Sequence, residues 1–126
     1  MAKTLLRCAV LYALLAIGLG MAMAASGDFG NRSVHVHLNL VGWVSMAVMA
    51  LAYRAFPGMS GSPLAKAQFW LHNLGLPVMA FGIYAVMHHL PMAEPIVGGG
   101  SMVVALAFVC FALNVWRNAG DVGEMA

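Results

Sequence analysis

Four long apolar segments, none containing Asp, Glu, Lys or Arg, constrain this chain more than any other feature of its sequence. They cover residues 8–25, 34–53, 69–90 and 96–116, and a helix that crosses a bilayer needs about 20 predominantly apolar residues. The composition agrees, because 63% of the residues are hydrophobic, only 8% are charged and the mean hydropathy is +0.88. A water-soluble globular domain is thereby excluded. The sequence predicts an all-α, polytopic membrane protein with four transmembrane helices.

The connections between these segments are short and contain Gly, Pro and Ser residues that interrupt helices. Short links place consecutive helices side by side in an up-and-down bundle, so residues 1–126 are interpreted as a single domain. A bundle of this size has little interior, and enclosing a large cofactor would favour a homo-oligomer. The lipid bilayer is the partner that the composition requires. A net charge of +2 without a basic run excludes nucleic acid as a partner.

The positions of the basic residues predict the orientation in the membrane. Five of the six Lys and Arg residues lie before the first segment, in the second connection or after the last segment: Lys3, Arg7, Arg54, Lys66 and Arg117. The positive-inside rule then predicts a multi-pass protein of the inner (cytoplasmic) membrane with both termini in the cytoplasm. A competing interpretation of the first segment is a cleavable signal peptide, with Ala22-Met23-Ala24 as its cleavage site. Cleavage would leave the remaining topology unchanged.

Two histidines open the second segment, in the sequence VHVHLNLVGW at residues 34–43. Ionisable side chains inside membrane spans are costly and indicate function by default. Residues two apart on an α-helix are separated by about 200°, so His35 and His37 point to opposite sides and serve different sites. A haem needs an axial nitrogen and a flat apolar slot, and Gly42, on the face of His35, would let such a ring approach the backbone. Alternatively, both imidazoles reach the interface and bond water or Asp28.

The same residues resemble a known family. The H-x-H-x4-G-W pattern at 35–43 and the segment 52–57 resemble the tenth helix of the catalytic subunit of haem-copper oxidases, especially the C-type cytochrome oxidases and nitric oxide reductases. Residues 68–71 and 114–117 resemble the start of the eleventh helix and the end of the twelfth, in the same order. The resemblance therefore covers about residues 28–117, while the first segment is matched only by its hydrophobicity.

In that family the first histidine of the pair ligates the high-spin haem and the second ligates the low-spin haem. The resemblance implies that His35 and His37 are haem-iron ligands and that haem b is the cofactor. Arg32, next to this pair on the outer side, is interpreted either as a partner of the haem propionates or as a solvated loop charge. The oxidase subunit has three quasi-equivalent arcs of four helices, whereas this chain has the length of one arc. The helix with the low-spin haem's other ligand is missing. We therefore expect a homotrimer, in which a neighbouring protomer supplies that ligand.

A second histidine pair, His88-His89, ends the third segment at the same predicted outer level. It resembles the copper-ligating pair at the end of the seventh oxidase helix, so metal ligation is one interpretation and an interfacial position is the other. His72, near the opposite end of that segment, is expected to hydrogen-bond across helices through Asn73, with ligation of a second haem as the alternative.

These observations favour an integral membrane protein that binds haem b and transfers electrons, to or from a respiratory-chain redox partner, or handles haem or a gas. No Glu or Lys that could deliver protons lies within any segment, so full oxygen reductase activity is not expected. Two other interpretations stay open. One is a haem-free accessory or assembly subunit of a respiratory complex. The other is a copper-handling membrane protein that uses His88, His89 and nearby Met residues.

Overall fold

The computed structural model describes residues 1–120 and is helical in each predicted segment. Its elements, in chain order, are α1 (Ala2–Ser26), α2 (Arg32–His37), a π-helical segment (Leu38–Val44), α3 (Ser45–Ala55), α4 (Pro57–Ser60), α5 (Pro63–Met87) and α6 (Ala93–Asn118). The elements α2, the π-segment and α3 are continuous and form the second span. Within the described residues, α1, the second span, α5 and α6 are the four helices long and apolar enough to cross a membrane, as predicted. The last residues of the predicted domain, 121–126, lie outside the described part.

The third span differs most from its predicted bounds of 69–90. It begins earlier, at Pro63, because the Ser62 hydroxyl accepts a hydrogen bond from Ala65 N at 3.1 Å and a proline occupies the first helical position. It also ends earlier, at Met87. His89 has a left-handed backbone with φ of 53°, and its N–H bonds back to Val86 O in a Schellman-type ending. His88 and His89 therefore follow the helix instead of forming its last turn.

The helices α5 and α6 pack through glycines. A Cβ placed on Gly82 would lie 2.5 Å from Val97 Cα, and one placed on Gly100 would lie 2.7 Å from Met79 Cα. Both backbones thus approach too closely for any larger side chain, as is common between membrane helices.

The helix α1 packs extensively against the second span, and α5 packs extensively against α6, whereas the second span meets α5 mainly through α2 and the π-segment. Phe111 of α6 also reaches Tyr53 of the second span, with ring centres 5.7 Å apart. A closed up-and-down bundle would also pack its first helix against its fourth. Within the described part, α1 and α6 make no comparable contact, so the row of four spans is open between α1 and α6. Each span exposes large apolar side chains, including Leu14, Leu51, Leu74 and Met102.

The two ends of this row differ in charge. Asn31, in the first connection, accepts a hydrogen bond from His88 Nε2 at 3.0 Å, so the first and third connections meet at one end. We call this the histidine end, because His35, His37, His88 and His89 all lie there. The opposite end, which we call the basic end, carries Lys3, Arg7, Arg54, Lys66 and Arg117. The alternating course predicted for the spans is therefore confirmed.

Candidate functional site

The His35 ring is held between the second span and α1. Its Nδ1 lies 2.7 Å from the carbonyl oxygen of Ala16, and Gly20 makes room for the ring, since a Cβ there would lie 2.8 Å from His35 Cε1. A carbonyl oxygen only accepts hydrogen bonds, so Nδ1 carries a proton, and in the neutral ring Nε2 is then the acceptor. Asn39 Nδ2 lies 3.4 Å from that Nε2 and 3.2 Å from the His35 carbonyl oxygen.

The His37 ring adopts the same tautomer through a different partner. Its Nδ1 lies 2.7 Å from the carbonyl oxygen of Ser33, one turn earlier in α2. Metal-ligating histidines almost always donate their second ring N–H to a carbonyl, a carboxylate or water, which leaves the other nitrogen free for the metal. His37 is in that state, whereas His35 Nε2 already faces the Asn39 amide nitrogen at 3.4 Å. Because their partners lie on different helices, the two rings engage separate surroundings. That they serve two different sites stays a prediction.

Gly42 does not face an open slot. A Cβ placed there would lie 2.7 Å from Tyr12 Cβ and 3.2 Å from Leu76 Cδ2. Side chains of the first and third spans therefore cover the surface where the wall of a haem slot was expected. A macrocycle could lie against Gly42 only after Tyr12 had moved, and the predicted haem contact of Gly42 stays a prediction.

Arg32 is exposed in the first turn of α2, and its guanidinium carbon lies 5.9 Å from the centre of the Phe29 ring. This distance is within the range of a cation–π contact. The guanidinium thus stays at the histidine end, close in sequence to His35. Its predicted pairing with haem propionates stays a prediction.

The two histidines of the predicted copper pair, His88 and His89, lie in different surroundings. His88 donates from Nε2 to Asn31, and its ring centre lies 4.2 Å from that of Tyr84. His89 instead lines an outer cavity of about 620 Å³ together with Glu94. In residues 1–120, no three His, Cys, Asp or Glu side chains come together as a metal-binding group. A metal at this pair would need ligands of another type or from another chain.

The π-segment was not predicted, and it changes which residues share a face. Ser45 N donates to Leu40 O, five residues earlier, a pattern that is rare and frequent at functional sites. The extra residue rotates α2 relative to α3 by roughly 100°. The buried face that contains Met46 and Gly42 consequently continues to Val34, which is 8% exposed, while His35 is only half-buried.

His72 supplies the hydrogen bond that this distortion requires. Where i→i−5 bonding returns to i→i−4, one carbonyl loses its backbone donor. The Val41 carbonyl follows that of Leu40, and its oxygen lies 2.8 Å from His72 Nε2. His72 is completely buried, and its Nδ1 lies 3.2 Å from Gln68 Nε2. Since Nε2 donates to Val41, Nδ1 accepts the proton of the Gln68 amide.

The network continues toward the basic end. Tyr53 Oη donates to Gln68 Oε1 at 3.0 Å, and Gln68 Nε2 also reaches the Met49 sulfur at 3.2 Å. The predicted interhelical role of His72 is therefore confirmed, but its predicted route was wrong, because Asn73 bonds within α5 to Phe69 O. Every buried side-chain nitrogen and oxygen in the described part has a partner. Four buried side chains thus join the second and third spans.

Comparison of the chain with protein-family models, with curated proteins and with solved structures finds no match.

Proposed function

We propose that this chain is an integral membrane protein that binds haem b through His35 and His37 and that transfers electrons or handles haem or a gas ligand. The main support for the proposal is that both imidazoles make the same kind of hydrogen bond through Nδ1. Each donates its Nδ1 proton to a backbone carbonyl at 2.7 Å, which leaves Nε2 as the nitrogen that would bind the metal. For His35, the Asn39 amide 3.4 Å from Nε2 would have to move aside. The resemblance of residues 35–43 to a haem-ligating helix supports the same assignment.

The residues around the pair suit this role. Backbone carbonyls of Ala16 and Ser33 orient the two rings, and Arg32 keeps a cation at the same end for the propionates. When bound, a haem with two imidazole ligands exchanges one electron, and a haem with one imidazole leaves a position for oxygen or nitric oxide. The protein would contribute ligands, orientation and a low-dielectric setting, which are its means of tuning a haem.

The proposed assembly is a homotrimer with haem between protomers. The covered surface at Gly42 and the open row of helices both favour a haem held at the surface of one chain and enclosed by another. An exposed apolar stripe begins at Val36, next to His37, and continues along the second span: Val36, Leu40, Val44 and Val48. Such a stripe offers the flat apolar surface that a macrocycle needs. A neighbouring protomer would supply the second axial ligand.

The test is a reduced-minus-oxidised visible spectrum of detergent-purified protein produced with haem available. We expect a Soret and an α band in the wild type, a strong decrease in His35→Ala and in His37→Ala, and no change in His89→Ala. His89 is the matched control, because it is exposed at the same end. A colourless wild type, or equal spectra in all three variants, would overturn the proposal. Native mass spectrometry that finds only single chains would overturn the trimer.

A haem-free accessory subunit of a respiratory complex is the second candidate. The observation that favours it is that His35, His37 and His88 already have hydrogen-bond partners within the protein. A colourless, folded wild type that co-purifies with a respiratory complex would support it. Copper bound by wild type and lost in His88→Ala would instead favour the copper-handling alternative.

A further inference from the structure

A cavity of about 730 Å³ lies at the basic end, between α1 and the end of the second span. Its lining includes Leu6, Ala50, Leu51, Lys3, Arg54 and Ser60. Tyr53, which donates to Gln68 in the network around His72, also lines the cavity. None of the lining residues lies at the histidine end, so the proposed haem function leaves this cavity unexplained.

The lining changes from apolar to cationic along the membrane normal. Leu6 lies one helical turn further into the membrane than Lys3, and Leu51 lies one turn further in than Arg54. Both cations are exposed at the end of their helices. The cavity therefore has an apolar inner part and a positively charged outer part, which is the polarity of a lipid in the same leaflet.

Within the described residues, no carboxylate at the basic end balances its positive charge. Asp28 and Glu94 are the two carboxylates of residues 1–120, and both lie at the histidine end. An anion at the mouth of the cavity would thus meet Lys3 and Arg54 without a competing carboxylate from this part of the chain. Arginine binds phosphate through two parallel hydrogen bonds, and lysine binds it as a point charge.

We propose that this cavity binds an anionic phospholipid. The phosphate contacts Lys3 and Arg54, and the acyl chain lies along Leu6, Ala50 and Leu51. Basic pockets between membrane helices are sites of this kind for anionic headgroups. Free phosphate would use only the charged mouth, whereas a phospholipid uses both the mouth and the apolar inner part.

Native mass spectrometry of the protein with added phosphatidylglycerol or phosphatidylcholine tests the proposal. We expect selective retention of phosphatidylglycerol by the wild type. The double variant Lys3→Gln/Arg54→Gln should bind it roughly 30-fold more weakly, on the basis of about fivefold per cation near a membrane surface. The matched control is Lys66→Gln/Arg117→Gln, which removes two cations of the basic end that do not line the cavity. It should change the affinity by less than about twofold, because exposed charges farther away are screened.

Three outcomes would overturn the proposal. They are equal retention of the two lipids by the wild type, equal loss in the two double variants, and displacement of phosphatidylglycerol by millimolar inorganic phosphate, which would identify a phosphate site. The altered residues are exposed, and a melting curve for each double variant checks that the fold is retained. The measurement needs no haem, so its result is separate from that of the proposed function.

Discussion

His72 of α5 donates from Nε2 to the carbonyl oxygen of Val41 across 2.8 Å, and so ties the third span to the π-segment of the second. The bond satisfies a carbonyl that the helical distortion leaves without a backbone donor. The same distortion sets the rotation of α2, which carries His35 and His37. One buried imidazole thus connects the packing of the spans to the direction of the proposed haem ligands.

Replacing His72 by leucine should lower the free energy of unfolding by about 1–3 kcal/mol, because the Val41 carbonyl and one Gln68 proton lose their partner in an apolar interior. Denaturation in mixed detergent micelles measures this change. His89→Asn is the control and should stay within about 0.5 kcal/mol, since His89 is exposed and asparagine also adopts its left-handed backbone. Equal stability of the two variants would contradict the role of the His72–Val41 bond.

Tyr53→Phe removes only the hydroxyl that donates to Gln68. We expect a smaller loss of about 0.5–1.5 kcal/mol, typical of one hydrogen bond. Combination with Gln68→Leu should cost less than the sum of the two single changes, because both remove the same bond. Strict additivity in a double-mutant cycle would show that the two side chains do not interact.

Replacement by alanine should change the stability in different directions at two glycines, Gly82 in the α5–α6 contact and Gly99 outside it. Gly82→Ala should destabilise the protein by about 1–3 kcal/mol, since its Cβ meets the backbone of α6 and forces the helices apart. Gly99→Ala, where nothing lies within 4 Å of the new Cβ, should be neutral or stabilising by up to about 1 kcal/mol through helix propensity. Thermal melting of both variants in one detergent provides the measurement. A Gly82→Ala variant as stable as Gly99→Ala would refute the close contact.

Gly20→Ala tests the position of His35 without changing the ligand itself. The added methyl group meets the imidazole at 2.8 Å, so the ring must move away from Ala16 O. We expect a shifted or weakened Soret band in Gly20→Ala. Gly18→Ala should match the wild type, because its Cβ meets nothing within 4 Å. Identical spectra for both variants would argue against haem ligation by His35.

Several features of the fold and the site could be predicted from the sequence. The four spans, their alternating course and the location of His35, His37, His88 and His89 at one end depend on hydrophobicity and on counting residues along a helix. The opposite placement of His35 and His37 followed from helical geometry alone.

Other features were decided by the tertiary structure. Pure α-helical spacing places His35 on the face of Gly42, but the π-segment rotates α2 so that Val34 takes that position. Two contacts join residues of different spans: Tyr12 packs against Gly42, and His72 donates a hydrogen bond to Val41. Sequence periodicity describes one helix at a time. It carries no information on which neighbour supplies a missing donor or fills a surface, because those contacts exist only once the helices have packed.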